Sequence, residues 1–76
     1  MNRERRKEIE AIKTRLADIK SDLEMLQDEE QQYYDVMPEG IQMSEKGDRA
    51  EEVIGFFDEA VQAFDEIEYA LDQAGE

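Results

Sequence analysis

The sequence lacks cysteine and histidine altogether. Without them it cannot form a disulfide scaffold, a zinc finger or a thiol nucleophile, and no imidazole is available as a base or metal ligand. The hydroxyl residues Thr14, Ser21 and Ser44 therefore have no histidine to activate them. We expect no catalytic residue, no cofactor and no metal site, and hence a protein that is not an enzyme.

Long apolar runs are also missing. No stretch approaches the ~18 apolar residues that cross a bilayer, and no signal-peptide pattern opens the chain. A chain without disulfides suits the cytosol. We therefore expect a soluble cytoplasmic protein that does not engage a membrane.

Basic residues are scarce after residue 20. Residues 1–20 contain seven basic and four acidic residues, a net charge of +3, whereas residues 21–76 contain two basic and eighteen acidic residues, a net charge of -16. Such a surface repels nucleic acid phosphates and favours a basic protein as partner. In the alternative interpretation, the charge simply maintains solubility.

Glycine and proline are absent from residues 1–37, and apolar residues recur there in steps of three and four. In heptad notation, Ile9, Leu16 and Leu23 occupy position a. Ile12, Ile19 and Leu26 occupy position d. This pattern predicts a helix over about residues 2–36, with a narrow apolar stripe along a and d.

Pro38 and Gly40 predict a connection over about residues 37–43, because proline ends a helix and restricts the residue before it. Ser44 is a good N-cap for a second helix over about residues 44–75. Asp48, with Glu51 three residues later, offers an alternative start that resembles a capping box. Gly75 marks the end of this helix.

The second helix repeats every seven residues from Ala50, and its apolar stripe is broad enough to contact two neighbours. The candidate oligomer seam consists of Val53, Ile54, Phe56, Phe57, Val61, Phe64, Ile67 and Leu71. A chain of this length gains little from one interface between two helices, which favours self-association.

These features predict one all-α domain over residues 1–76, an antiparallel two-helix, coiled-coil-like hairpin that dimerises into a four-helix bundle. A trimer or a larger bundle is also open. Folding back would place Arg3, Arg5, Arg6 and Lys7 near Asp72 and Glu76. It would place Lys13 and Arg15 near Asp65, Glu66 and Glu68, so that opposite charges select the register.

Acidic residues recur along the second helix as a candidate acidic stripe: Glu51, Glu52, Asp58, Glu59, Asp65, Glu66 and Asp72. Carboxylates repeating about every 10.5 Å could imitate a phosphate backbone and occupy a basic protein. They could equally be the solvated outer surface of a bundle.

The connection between the helices carries a second candidate surface of Tyr33, Tyr34, Met37, Ile41 and Met43. Aromatic residues and methionines are typical of adaptable protein contacts. The same residues could instead fold over the end of the hairpin and close it.

The connection also resembles small acidic hypothetical proteins of phage and prophage genomes, which join two coiled-coil-like helices by an MPE…Q-S-E-(K/R)-G-E-x-A-E-E-A segment. The resemblance covers about residues 26–70 and centres on Met37, Pro38, Glu39, Ser44, Glu45, Gly47, Ala50, Glu51 and Glu52. It implies a viral or prophage setting and no established activity. Gly55 and Phe56 depart from the pattern, which would mark close local packing.

The leading hypothesis is a non-catalytic, self-associating helical module that acts through protein–protein contact as a homodimer. The resemblance implies that it is a phage accessory protein. The alternative hypothesis is an acidic mimic of nucleic acid that inhibits a basic host protein, such as a defence nuclease.

Overall fold

The computed structural model describes residues 3–75, which form a helical hairpin. Helix α1 spans Arg3–Asp35, a short helix α2 spans Glu39–Gln42, and helix α3 spans Glu45–Ala74. Within the described residues there is no strand. α1 and α3 pack side by side along a rod that measures 59 × 15 × 11 Å. The predicted all-helical hairpin is thereby confirmed.

The tip of the hairpin is more ordered than the sequence predicted. Residues 39–42 form one helical turn within the connection that we expected over about residues 37–43. Pro38 stands before this turn with φ -56° and ψ 147°, and its carbonyl accepts hydrogen bonds from the amides of Ile41 and Gln42. The side chain of Gln42 donates to the carbonyl of Tyr34 at 2.9 Å. The same carbonyl also accepts from the backbone amide of Met37 at 3.1 Å, so two donors of the tip hold the end of α1.

Helix α3 begins one residue after Ser44, whose backbone is extended. Ser44 is the N-cap residue of α3, as predicted, but its hydroxyl donates to the carbonyl of Ile41 and makes no capping hydrogen bond to α3. Asp48 lies in the first turn of α3 and does not start the helix. Gly75 follows the last residue of α3 as expected, although its φ of -86° does not require glycine.

Gly47 lies on α3 where the chain of the tip passes closest to it. Gly47 is buried, and a Cβ built on it would collide with the backbone of Gln42. By contrast, a Cβ on Gly55 would meet no atom within 4 Å in the described part of the chain. The expectation that Gly55 marks close packing is therefore wrong, and Gly47 is the glycine on which packing depends.

The face that α1 turns toward α3 also differs from the prediction. The half-buried residues of α1 occupy heptad positions a and e: Ile9, Lys13, Leu16, Lys20, Leu23, Gln27, Glu30 and Tyr34. The d residues Ile12, Ile19 and Leu26 are 38%, 48% and 47% exposed. The predicted a/d stripe is therefore not buried as one interface inside the hairpin.

The rotation of α1 has a physical cause. Lys13 and Lys20, at position e, reach across to the carboxylates of Asp72 and Asp65 on α3. The two lysine side chains are 26% and 25% exposed, so their methylene stems are largely buried at the interface while their ammonium groups meet the carboxylates. A single neighbouring helix covers one side of α1, so the d residues are left on the other side.

Candidate interaction surface

One side of the hairpin is closed by three cross-helix contacts, which we call the polar edge. Lys13 pairs with Asp72, Lys20 Nζ lies 2.7 Å from Asp65 Oδ1, and the Tyr34 hydroxyl donates to Glu51 Oε1 at 2.6 Å. From one contact to the next, α1 advances by seven and then fourteen residues, and α3 retreats by the same intervals. The polar edge therefore fixes a single antiparallel register along the whole hairpin.

The polar edge shifts the protonation equilibria of its donors. The hydrogen bond from Lys13 to Asp72 raises the pKa of that ammonium group, and Lys20 has a raised pKa because of Asp65. The hydrogen bond from Tyr34 to Glu51 likewise raises the pKa of the phenol. A carboxylate acceptor stabilises the protonated donor in each case.

This register corrects the expected ion pairs. Lys13 pairs with Asp72 and not with Asp65, which instead accepts from Lys20. A Cβ on Gly75 would lie 4.0 Å from the Ile9 side chain, so the end of α3 lies beside Ile9. The first turns of α1, which contain Arg3, Arg5, Arg6 and Lys7, thus extend past Gly75. Glu76, the other expected neighbour of these basic residues, is outside the described residues.

The opposite side of the hairpin is apolar. Successive helical residues are about 100° apart, so Ile19 and Lys20 lie on different flanks of α1, and Phe64 separates Ala63 from Asp65 on α3. Because Lys20 meets Asp65 on one side of the interface, Ile19 and Ala63 share the other. We call the large residues of this side the apolar face: Ile12, Ile19, Leu26, Tyr33, Phe56 and Ile67.

The apolar face is open to solvent. Phe56 is 60% exposed and Ile67 is 43% exposed, in addition to the exposed d residues of α1. A groove of about 340 Å³ runs into this face, lined by Leu23, Arg49, Val53, Phe56, Phe57 and Ala60. Contiguous exposed apolar surface of this kind typically marks a site of protein–protein contact.

The candidate seam of α3 divides between two sides. Val53, Ile54, Phe57, Val61, Phe64 and Leu71 are half-buried within the hairpin. Phe56 and Ile67 belong to the exposed apolar face. α3 therefore has the two apolar sides that its broad stripe requires, one against α1 and one without a neighbour in the described hairpin.

The candidate residues of the tip also have different environments. Met37 is buried, and Tyr34 is half-buried beside Glu51. Ile41 and Met43 are 41% and 79% exposed. Tyr33 is exposed as well, with Lys46 Nζ 5.9 Å from its ring centroid, a distance at which a cation is attracted to the ring.

The candidate acidic stripe is not one uniform surface. Its members at position b lie toward α1, and three of them take part in the polar edge: Glu51, Asp65 and Asp72. Asp58 accepts a hydrogen bond from Gln62 on its own helix. Glu52, Glu59 and Glu66, at position c, point away from α1 and are exposed, and Glu52 pairs with Arg49.

The described residues contain no group of three acidic, cysteine or histidine side chains placed to hold a metal ion. Thr14 and Ser44 direct their hydroxyls to backbone carbonyls. None of the helices formed by residues 3–75 is long and apolar enough to cross a membrane.

Sequence reasoning missed the outward position of Ile12, Ile19 and Leu26, and it overlooked Val36, which is 79% exposed at the tip. A usable signal was present for the former. Lysines at 13 and 20 and aspartates at 65 and 72 share one heptad spacing, so pairing them turns position d away from α3.

Comparison of the chain with protein-family models, curated proteins and solved structures finds no match.

Proposed function

We propose that this protein is a helical association module that forms a homodimer through the apolar face. The observation that carries the proposal is the exposure of Ile12, Ile19 and Leu26, which share one flank of α1 at seven-residue spacing. A second copy that presents the same face would bury both rows and produce a four-helix bundle. Such a bundle covers the remaining apolar stripe of each helix.

The size of the hairpin's own core supports this proposal. Among residues 3–75 the buried hydrophobic residues are Met37, at the tip, and Ala50, in the second turn of α3 beside it. The long helices are held together by half-buried residues alone. A second layer of helices would convert this interface into a closed core, which is how small helical domains commonly reach stability.

The accessible surface area of the hairpin also supports a homodimer. The hairpin exposes 5856 Å², whereas a folded monomer of 8.9 kDa typically exposes about 4,800 Å². The excess of roughly 1,000 Å² is comparable to the ~800 Å² that each partner contributes to a standard interface. The hairpin therefore has enough accessible surface for a specific dimer.

Sedimentation equilibrium of the wild-type chain and two matched variants tests the proposal. Ile19→Lys places a charge on the apolar face, and Ala11→Lys adds the same charge to α1 at an exposed position outside it. We expect the parent and Ala11→Lys to be dimers, and Ile19→Lys to be a monomer with its helical circular dichroism retained. A parent chain that stays monomeric at micromolar concentration would contradict the proposal.

A second candidate function is an acidic inhibitor of a basic protein. Its support is the exposed row of Glu52, Glu59 and Glu66, together with the net charge of -13. The three carboxylates held in the polar edge weaken this candidate, because they neutralise lysines of the same chain or bind its tyrosine. Binding to a basic protein would support this candidate if the affinity falls with added salt and with glutamine in place of Glu52, Glu59 and Glu66. The viral setting suggested by the sequence stays a prediction.

A further inference from the structure

We infer that the two copies associate antiparallel, so that the basic first turns of α1 in each copy lie against the acidic tip of the other. This inference rests on the proposed homodimer and adds its orientation. It follows from three features of the hairpin: a basic segment beyond the end of α3, an acidic tip at the far end, and the spacing of the apolar face between them.

The basic segment is residues 3–8 at the start of α1. These residues extend past Gly75, which lies beside Ile9. They contain four basic and two acidic residues, a net charge of +2, and the whole segment is exposed. Basic residues at a helix N-terminus oppose the helix macrodipole, so helix stability alone does not explain Arg3, Arg6 and Lys7.

The tip has the opposite charge. Residues 35–48 contain four acidic residues and one basic residue, a net charge of -3. The acidic members are Asp35, Glu39, Glu45 and Asp48, and all four are exposed. The charge is thus uneven along the 59 Å axis: residues 3–8 carry a net charge of +2 at one end, and the tip carries a net charge of -3 at the other.

The spacing of the apolar face is compatible with an antiparallel partner. When Ile19 of one copy lies opposite Leu26 of the other, Ile12 falls opposite Tyr33, because Ile12 lies seven residues before Ile19 and Tyr33 lies seven residues after Leu26. The same register brings residues 3–8 opposite residues 37–42 of the second copy. On α3, bulky residues then meet small ones, with Phe56 near Ala70 and Ile67 near Ala60.

Charge distinguishes this orientation from a parallel one. A parallel two-fold dimer would bury the same face but would set tip against tip and leave both basic segments at the other end, away from either tip. Like charges in register oppose association, whereas complementary ends favour it and select one orientation. The antiparallel arrangement has two-fold symmetry, so both basic segments are used and the assembly closes at two copies.

The charged residues of α1 beside the apolar face also favour the antiparallel orientation, with one exception. In the antiparallel register Arg15 lies near Glu29 of the second copy, and the symmetry repeats this pair. Asp22 faces its own counterpart close to the two-fold axis. All three side chains are exposed, so this one like-charge contact is screened by solvent.

A distance measurement tests the orientation directly, because the chain has no native cysteine. Gly40→Cys places a spin label at the exposed tip, where a Cβ has open space in the described structure. An antiparallel dimer predicts an inter-label distance of roughly 50 Å, from the 1.5 Å rise per residue. A parallel dimer predicts roughly 20 Å, about two interhelical spacings. Dimers with the short distance would overturn this inference and leave the proposed function intact, whereas a monomer would overturn both.

Charge reversal tests the contact itself. In Arg3→Glu/Arg6→Glu/Lys7→Glu we expect the dimer dissociation constant to rise roughly tenfold or more at low salt. Glutamates near the start of α1 interact favourably with the helix macrodipole, so the helical content of this variant should not fall. Adding Asp35→Lys, Glu39→Lys and Glu45→Lys should restore the parent affinity. Weaker association in the combined variant than in the first would contradict the antiparallel contact.

Discussion

Lys20 on α1 and Asp65 on α3 are 45 residues apart in sequence, and their charged groups lie 2.7 Å apart across the hairpin. Lys13 and Asp72 make the equivalent contact one heptad away. Two pairs at one spacing define the register, and a shift of α3 by one turn would break both. We therefore expect these pairs to matter more for the choice of register than for total stability.

Exchange of the two charges tests this role. Lys20→Asp alone should lower the thermal unfolding temperature, because it places two carboxylates side by side. Lys20→Asp combined with Asp65→Lys should recover most of the loss, since the pair re-forms in the opposite sense. Circular dichroism melts at fixed protein concentration measure both effects, and the loss should shrink in high salt. No recovery in the double variant would show that the pair does not act as a unit.

Stability should fall at alkaline pH. The raised pKa values of Lys13, Lys20 and Tyr34 mean that the folded hairpin binds these three protons more tightly than the unfolded chain does. Their contribution is complete below the unfolded pKa and is lost as pH rises through the folded pKa. The unfolding temperature should therefore decline above about pH 10.

Tyr34→Phe provides the control for this alkaline transition. The variant cannot donate to Glu51, so it should be less stable near neutral pH and should lose less on the way to high pH. Thermal melts of the parent and the variant from pH 8 to pH 11.5 give the comparison. Parallel curves for the two proteins would exclude Tyr34 as a contributor.

The two glycines of α3 should respond in opposite directions to the same substitution. Gly47→Ala must displace the backbone at Gln42, and we expect it to lower the free energy of unfolding by about 1–3 kcal/mol. Gly55→Ala has open space and should raise it by roughly 0.5–1 kcal/mol, because alanine favours the helix. Urea titration monitored by circular dichroism measures both. Stabilisation by Gly47→Ala would contradict the close approach of the tip.

The methionines of the tip offer a second matched comparison. Met37 is 9% exposed and Met43 is 79% exposed. Met37→Ala should therefore cost about 2 kcal/mol of unfolding free energy, while Met43→Ala should change it by less than about 0.5 kcal/mol. Equal effects of the two substitutions in a denaturant titration would place Met43 in a contact of its own.

Much of the fold could be predicted from local patterns. The 3-4 spacing of apolar residues predicts both long helices, and Pro38 limits the first one, because proline lacks the amide that a helix interior needs. The helical turn at Glu39–Gln42 was not predicted, since four residues carry too little periodicity to reveal it. Ser44 occupies the predicted N-cap position, but the sequence did not reveal that its hydroxyl donates to the carbonyl of Ile41.

The candidate surface was harder to predict. The sequence identifies Ile12, Ile19 and Leu26 as apolar and on one stripe, and it identifies Lys13 and Lys20 as their neighbours. The matching spacing of the lysines and of Asp65 and Asp72 favours a/e packing, but a/d and a/e packing both bury Leu16 and Leu23, so the sequence does not choose between them by itself. The contacts of the lysines with Asp72 and Asp65 decide it.

The sequence by itself therefore determined two amphipathic helices, one turn and a strongly uneven charge, all of which depend on residues close together in the chain. The tertiary structure alone decided how far each helix rotates about its axis. Rotation depends on ion pairs and packing between residues far apart in sequence, which local patterns do not reveal. That rotation closes the polar edge and leaves the apolar face open.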